Sequence, residues 1–262
     1  MFTTFNAILP TYEVITPQTK QSLLLKSMTI ADEEKMKASL MNESKILGHL
    51  NKCIFDSITD KDPKYTFKEF LITTTLKDRE ALLYGLYHIT YEEIRNYTVS
   101  CSKCKTNQDV TVKASDTFSV NIFPGKEKEI LKKRITIPLE ILNTVKVVLK
   151  QPTLNDENEI ARRFAFSADN KTDIWMESLI IESIEYLPEN AVESEIYTIR
   201  DEIVQGYLSF PAKDKKLINK KYIEEFGTYA IKLQMQTSCT KCGNTEVIDI
   251  DLVDNFFRAM YQ

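Results

Sequence analysis

Two Cys-x-x-Cys pairs, Cys101-Ser-Lys-Cys104 and Cys239-Thr-Lys-Cys242, constrain this chain more than any other feature. They stand 134 residues apart, and a fifth cysteine, Cys53, sits in an apolar helical stretch. Their flanks match as well, Val-Ser-Cys-Ser-Lys-Cys beside Thr-Ser-Cys-Thr-Lys-Cys. A shared local sequence at such a distance invites a search for an internal repeat.

The match extends upstream. Lys26-Ser-Met-Thr29-Ile-Ala-Asp32-Glu33 parallels Lys150-Gln-Pro-Thr153-Leu-Asn-Asp156-Glu157. In both, a Thr-x-x-Asp opens a helix, with the threonine hydroxyl placed to cap free amides of the first turn. Ile54-Phe-Asp56-Ser57-Ile58 parallels Ile180-Ile-Glu182-Ser183-Ile184, and Lys77-Asp78 and Lys213-Asp214 each open a helical stretch. The offset grows from 124 (Thr29 to Thr153) through 126 (Ile54 to Ile180) to 138 (Cys101 to Cys239), so the second half carries insertions. The expected fold is therefore α+β: two quasi-repeated lobes of helices plus a β-hairpin, each lobe ending in a CxxC knuckle. The Phe123-Pro124-Gly125-Lys126 turn divides them, because proline and glycine together break helix and strand. That gives a first lobe over 1–124 with Cys101 and Cys104, and a second over 125–262 with Cys239 and Cys242.

Period-two alternation predicts strands around each pair. Ile231, Leu233 and Met235 precede the second, and Ile248, Ile250 and Leu252 follow it. Val99 precedes the first, and Val110 and Val112 follow it. Elsewhere the pattern predicts helices near 31–58, 76–90, 154–166, 173–186, 191–207 and 214–227, with Thr90 and Glu93 as one further Thr-x-x-Glu start. The insertions around 188–214 make a surface unique to the second lobe, where partners can be recognised.

Three chemistries use paired CxxC sequences. Four thiolates can hold one zinc ion tetrahedrally, as a closed structural site. Gly243, directly after Cys242, permits the tight turn such a site needs. A redox dithiol places its CxxC at a helix N-terminus, whereas both pairs here are predicted between strands. Structural disulfides belong to oxidising compartments, and the N-terminal sequence has neither the basic start nor the apolar core of a secretory signal. A gap of 134 residues is unlike a compact zinc ribbon, and only duplication makes it sensible. We take Cys101, Cys104, Cys239 and Cys242 as ligands of one structural zinc that joins the lobes.

Other residues offer little. Cys53 reads as a small buried apolar residue. His49 and His88 read as helix-surface or core-edge residues, and the second half has no histidine to mirror them. The runs Lys126 to Arg134 and Lys213 to Lys221 read as solvated faces. Asp32-Glu33 and Glu92-Glu93 read as helix N-terminal charges favoured by the macrodipole. With 6 glycines there is no Gly-rich phosphate loop, and 2 histidines leave little for a triad, so no enzyme is expected. A net charge of -4 argues against a dedicated nucleic-acid binder. The longest apolar stretch, Ala81 to Ile89, is too short for a bilayer. The alternative function is a zinc-ribbon nucleic-acid module with Lys103, Lys105 and Lys241 on phosphates; a thiol oxidoreductase is the third.

Taken together, the Leu9-Pro10 leader, the Thr-x-x-Asp-Glu helix start, the Asp56-Ser57 helix, and Thr75-Leu-Lys-Asp78-Arg-Glu80-Ala-Leu-Leu83-Tyr-Gly-Leu-Tyr87 leading into Val99-Ser-Cys101-Ser-Lys-Cys104 form a series. That series resembles the baseplate hub and hub-assembly proteins of T4-like contractile-tailed bacteriophages. The first pair departs from the family pattern in having Lys105, not glycine, after Cys104. The resemblance implies a non-enzymatic role in tail morphogenesis, as a hub subunit or as a chaperone-like factor absent from the finished particle. Its partners would be other baseplate hub and tail proteins, met in the host cytoplasm during assembly or in the virion baseplate.

Overall fold

The computed structural model describes residues 9–40, 43–91, 94–113, 116–164, 172–189 and 191–250. The fold is mixed α+β, with helices packed around several small antiparallel sheets. The chain opens with a hairpin of β1 (Thr11–Ile15) and β2 (Ser22–Lys26). Helices α1 (Ile30–Leu40), α2 (Glu43–Ser57), α3 (Phe67–Thr73) and α4 (Leu76–Tyr91) follow, then the hairpin β3 (Ile94–Ser100) and β4 (Asn107–Lys113). Strand β5 (Phe118–Val120) leads through a bend at Pro124-Gly125 into β6 (Arg134–Pro138) and β7 (Val145–Lys150), again a hairpin. Helices α5 (Leu154–Phe164) and α6 (Thr172–Glu177), strands β8 (Ile181–Tyr186) and β9 (Glu195–Tyr197), and helices α7 (Arg200–Ser209) and α8 (Ala212–Tyr222) come next. The described chain ends in the hairpin β10 (Ile231–Ser238) and β11 (Thr245–Asp249).

Local chemistry sets the helix starts. Thr29 N and Oγ1 donate to Asp32 Oδ2 at 3.0 and 2.7 Å, and Thr153 N and Oγ1 donate to Asp156 Oδ2 at 2.8 and 3.0 Å. Both Thr-x-x-Asp boxes therefore form where the sequence places them. Thr66 and Glu69 build a third, ahead of α3. Two buried aspartates do a longer-range job. Asp78, at the start of α4, accepts the amides of Gln18 (2.8 Å) and Thr19 (3.3 Å) in the β1–β2 turn. Asp214, at the start of α8, accepts those of Glu140 (2.9 Å), Ile141 (3.1 Å) and Leu142 (3.2 Å), just before β7. Each helix thus satisfies the orphan donors of a hairpin turn laid down some 60–74 residues earlier.

Apolar packing forms two main clusters. One gathers Leu25, Ile54, Phe70, Leu82 and Leu86 from the first half, and it also takes in Leu154, Ile231 and Leu233. The other gathers Ile130, Val147, Leu149, Ile181, Tyr207 and Phe226 from the second half. The halves also interlock: β5 pairs with β10, giving the order β11-β10-β5, while β6-β7-β8-β9 forms a separate sheet. Thr75 bridges Thr153, and Leu154 N donates to Thr74 O at 2.9 Å. Arg79 on α4 makes a bidentate pair with Glu157 on α5, its Nη2 lying 3.0 Å from Oε1, with Glu157 buried.

Several expected elements differ. The stretch 31–58 is two helices, α1 and α2. The helix expected over 173–186 stops at Glu177 and turns into β8, because β-branched Ile181 and Ile184 pack into the sheet against β7. The helix expected over 191–207 begins only at Arg200; Glu195-Ile-Tyr197 pairs instead with β8. Consequently Ile54-Phe-Asp56-Ser57 is helical, whereas Ile181-Glu-Ser183-Ile184 is strand. Strands β1, β2, β5, β6 and β7 were absent from the expected set, although Val145, Val147 and Leu149 recur at every second position of β7 and are buried. Met1 to Ile8, Glu92, Glu93 and Leu252 lie outside the described residues.

Candidate metal centre

Each CxxC occupies the loop of a hairpin, and the two loops have the same backbone. Cys101 N donates to Thr106 O (3.0 Å) and Lys105 N to Cys101 O (2.9 Å); Cys239 N donates to Asn244 O (2.8 Å) and Gly243 N to Cys239 O (2.9 Å). Lys105 (φ 58°) and Gly243 (φ 69°) take the same left-handed conformation. Glycine adopts it freely; a lysine there costs roughly 1–2 kcal/mol. The absence of glycine after Cys104 thus changes the strain of the turn and not its shape.

The loops meet sulfur to sulfur. Cys104 Sγ lies 3.5 Å from Cys239 Sγ, and Cys101 Sγ lies 3.7 Å from Cys242 Sγ. All four sulfurs lie within 4.8 Å of one another, and none is disulfide-bonded. Sulfurs at about 2.3 Å from a tetrahedral ion would stand about 3.8 Å apart, so the cluster can hold a metal ion with little movement. Cys101 and Cys239 are buried, while Cys242 is exposed.

A reciprocal pair of side chains holds the loops together. Ser102 N donates to Glu246 Oε1 at 2.8 Å, and Thr240 N donates to Gln108 Oε1 at 2.9 Å. Ser102 and Thr240 each follow the first cysteine of a pair, and Gln108 and Glu246 each stand four residues after the second. The arrangement is a local pseudo-two-fold. Gln108 Nε2 also donates to Thr237 Oγ1 (3.0 Å) and Ser238 O (3.2 Å), and Asn244 Nδ2 donates to Glu246 Oε1 (2.7 Å). Asn244 Nδ2 also lies 3.9 Å from Cys101 Sγ, and Thr106 Oγ1 lies 3.3 Å from Cys104 Sγ.

These neighbours divide charge unevenly among the thiols. Hydrogen bonds from Thr106, and then from Cys239 and Cys242, bring Cys104 down to about 6. Cys242 stands at about 12: the Asn244 amide favours its thiolate, but desolvation and the adjoining Cys104, Cys239 and Cys101 sulfurs outweigh it. Glu246 is held below the ordinary carboxylate range by the Ser102 amide. A bound cation would relieve the crowding of negative charge that four thiolates create.

The remaining candidates sit elsewhere. Cys53 is pushed up to about 12, mainly by burial, which makes it a poor nucleophile. His88 packs its ring on Tyr84 (6.0 Å) and Tyr12 (5.0 Å), and His49 is exposed. The basic runs are largely engaged in ion pairs: Lys133 with Glu225, Arg134 with Glu182, Lys213 with Glu140, and Lys221 with Glu224. Lys103, Lys105 and Lys241 are exposed around the cysteine loops. Among the described residues no helix is long and apolar enough to cross a membrane. Gln108 and Glu246 were not anticipated, although aligning Cys-Lys-Thr-Asn-Gln108 with Cys-Gly-Asn-Thr-Glu246 puts them in register.

A family model described as T4 bacteriophage base plate protein matches residues 9–258. No curated protein and no solved structure matches the chain.

Proposed function

The chain belongs to the T4 bacteriophage base plate protein family, and from that premise we propose that it is a hub subunit or hub-assembly factor whose two lobes are clamped by one structural zinc. Membership implies a structural role in the virion tail and contacts with other tail proteins. The observation that carries the clamp is the convergence of four sulfurs from two sequence-distant loops within 4.8 Å. Soft thiolate donors in a tetrahedral set favour zinc over hard cations. When bound, the ion would supply cross-linking and no chemistry, since four protein ligands leave no position open for substrate.

Support for two quasi-repeated lobes, 1–124 and 125–262, comes from paired features. The Thr29 and Thr153 boxes, the Asp78 and Asp214 turn anchors, and the two cysteine hairpins follow in one order. Leu25 bridges Ile58, and their counterparts at offsets of 124 and 126, Leu149 and Ile184, lie on the paired strands β7 and β8. The Arg79–Glu157 pair and the β5–β10 pairing add contacts between the lobes at places other than the cysteine loops. Such a body offers fixed surfaces to partners, so ordering on binding costs less.

Complementing a phage that lacks this chain with Cys239→Ser tests the reading. Misfolding and loss of tail assembly should appear together. A metal-free Cys239→Ser chain that folds, binds its partners and restores tails would sink the clamp. A low-salt DNA titration addresses the alternative, since phosphate binding through Lys103, Lys105 and Lys241 would weaken steeply with salt.

A further inference from the structure

The face built by β8, β9 and α7 carries a feature that the metal clamp does not use. A groove of about 540 Å³ opens between the sheet and one side of α7. Its floor is apolar: Leu142, Val145, Ile184, Tyr197 and Phe210. Its helical wall is Asp201, Glu202, Gln205, Gly206 and Ser209, which recur at helical spacing on one side of α7. Gly206 lets the helix lie close to the sheet, since a Cβ there would meet Ile184 Cδ1 at 2.6 Å. Strand β9 ends its sheet, pairing only with β8 among the described residues.

The rim of this groove is acidic, with Glu195 on the Tyr197 side of β9 and Asp201 and Glu202 on α7, whereas Glu185, opposite Lys146, lies on the other face of the sheet. Residues 181 to 199 contain Glu182, Glu185, Glu189, Glu193 and Glu195 and no lysine or arginine, and α7 adds Asp201 and Glu202. Only Glu182 and Asp201 are paired with arginines, Arg134 and Arg163, in the described ion pairs. Arg200 is turned inward, donating to Ser178 O (2.8 Å) and Ile181 O (3.1 Å). The field reaches the floor: the hydrogen bond to Glu195 holds the Tyr197 hydroxyl above its ordinary range, with the Glu195 and Glu202 charges adding.

We infer that this groove docks an apolar segment bearing lysine or arginine at its flanks, contributed by another tail protein. The floor accepts the apolar side chains, and Glu195 and Glu202 meet the cations at the rim. A two-fold contact with a second copy of this chain is disfavoured, because it would bring the same acidic face against itself. The inference rests on the reading of the chain as a partner-binding tail protein and is independent of the metal.

The test titrates the full-length protein with a short peptide of alternating leucine and lysine, and with its leucine–glutamate counterpart, following the amide signals of Gln205, Gly206 and Ser209. The lysine peptide should move these signals, bind roughly tenfold more weakly to the Glu195→Lys/Glu202→Lys chain, and yield there to the glutamate peptide. Shifts centred elsewhere, or equal response to both peptides, would overturn the inference. Both substituted residues are exposed, so unchanged thermal melting serves as the folding control. A phage carrying the reversed chain should make fewer tails. Normal tails from it, where a phage lacking the chain makes none, would overturn the groove and leave the family role standing. Normal tails without the chain would overturn the assembly reading itself.

Discussion

Cys104 Sγ and Cys239 Sγ lie 3.5 Å apart although 135 positions separate them in the chain. No local preference brings them together. Their approach depends on two hairpins from different halves being set face to face, with Gln108 and Glu246 each reaching across to cap the opposite loop. The geometry leaves room for an ion between the sulfurs, at the far end of β10 from the segment that pairs with β5.

Lys105 carries strain that Gly243 avoids. Lys105→Gly should therefore stabilise the protein by about 1 kcal/mol, after part of the gain is lost to a more flexible unfolded chain. Gly243→Lys should cost a similar amount. Chemical denaturation of both variants checks this, and a destabilised Lys105→Gly would show that the lysine side chain has a role of its own.

Gln108→Ala removes the acceptor for Thr240 N and the donor to Ser238 O. We expect a loss of about 1–2 kcal/mol, with faster metal loss to a chelator. Glu246→Ala should behave alike through Ser102 N. The double variant should be worse than either alone, since both act on one metal cluster. Competition with a chromogenic chelator reads the rates; variants that release metal no faster than the parent would remove the reciprocal clamp from the account.

Much of this was legible in the sequence because it is written in short spacings. The Thr29 and Thr153 boxes and the helix starts at Asp78 and Asp214 follow from patterns spanning fewer than ten residues, and each cysteine hairpin from the alternation on either side of its pair. The convergence of the four cysteines was legible only through the resemblance between halves. What escaped is what tertiary pairing decides. Ile180-Ile-Glu-Ser-Ile184 fits a helix or a strand by pattern, and β7 on one side with β9 on the other selects the strand. The reach of Asp78 to Gln18 and of Asp214 to Glu140 could not be read from residues 60 and 74 positions apart.

Those aspartates yield a stability prediction. Asp78→Ala strands the Gln18 and Thr19 amides beneath α4, and Asp214→Ala strands those of Glu140, Ile141 and Leu142. Each should cost at least about 3 kcal/mol, because buried donors without partners carry the full desolvation penalty. Asp78→Asn, which keeps one acceptor, should recover part of the loss. Equal melting of Asp78→Ala and the parent would contradict the anchoring role.

Metal retention should depend on pH with a definite sign. Binding displaces protons from the thiols, so affinity falls as pH falls. Near neutrality Cys104 has already lost its proton, whereas Cys242 still holds one for the metal to displace. Below about 6 the Cys104 proton must be displaced as well, and the dependence of log affinity on pH should steepen by about one unit per pH unit. Chelator competition between pH 5 and 8 measures the slope; a slope that flattened on acidification would contradict the assignment of the first thiolate to Cys104.

The central claim is that one metal ion ties the two halves of a baseplate protein through four cysteines. Native mass spectrometry of protein purified without chelator tests it most directly, reading metal content and oligomeric mass in one spectrum. The account predicts one zinc per chain in the parent protein, and loss of that zinc from both Cys101→Ser and Cys239→Ser. A folded, metal-free parent with four alkylatable thiols would contradict it.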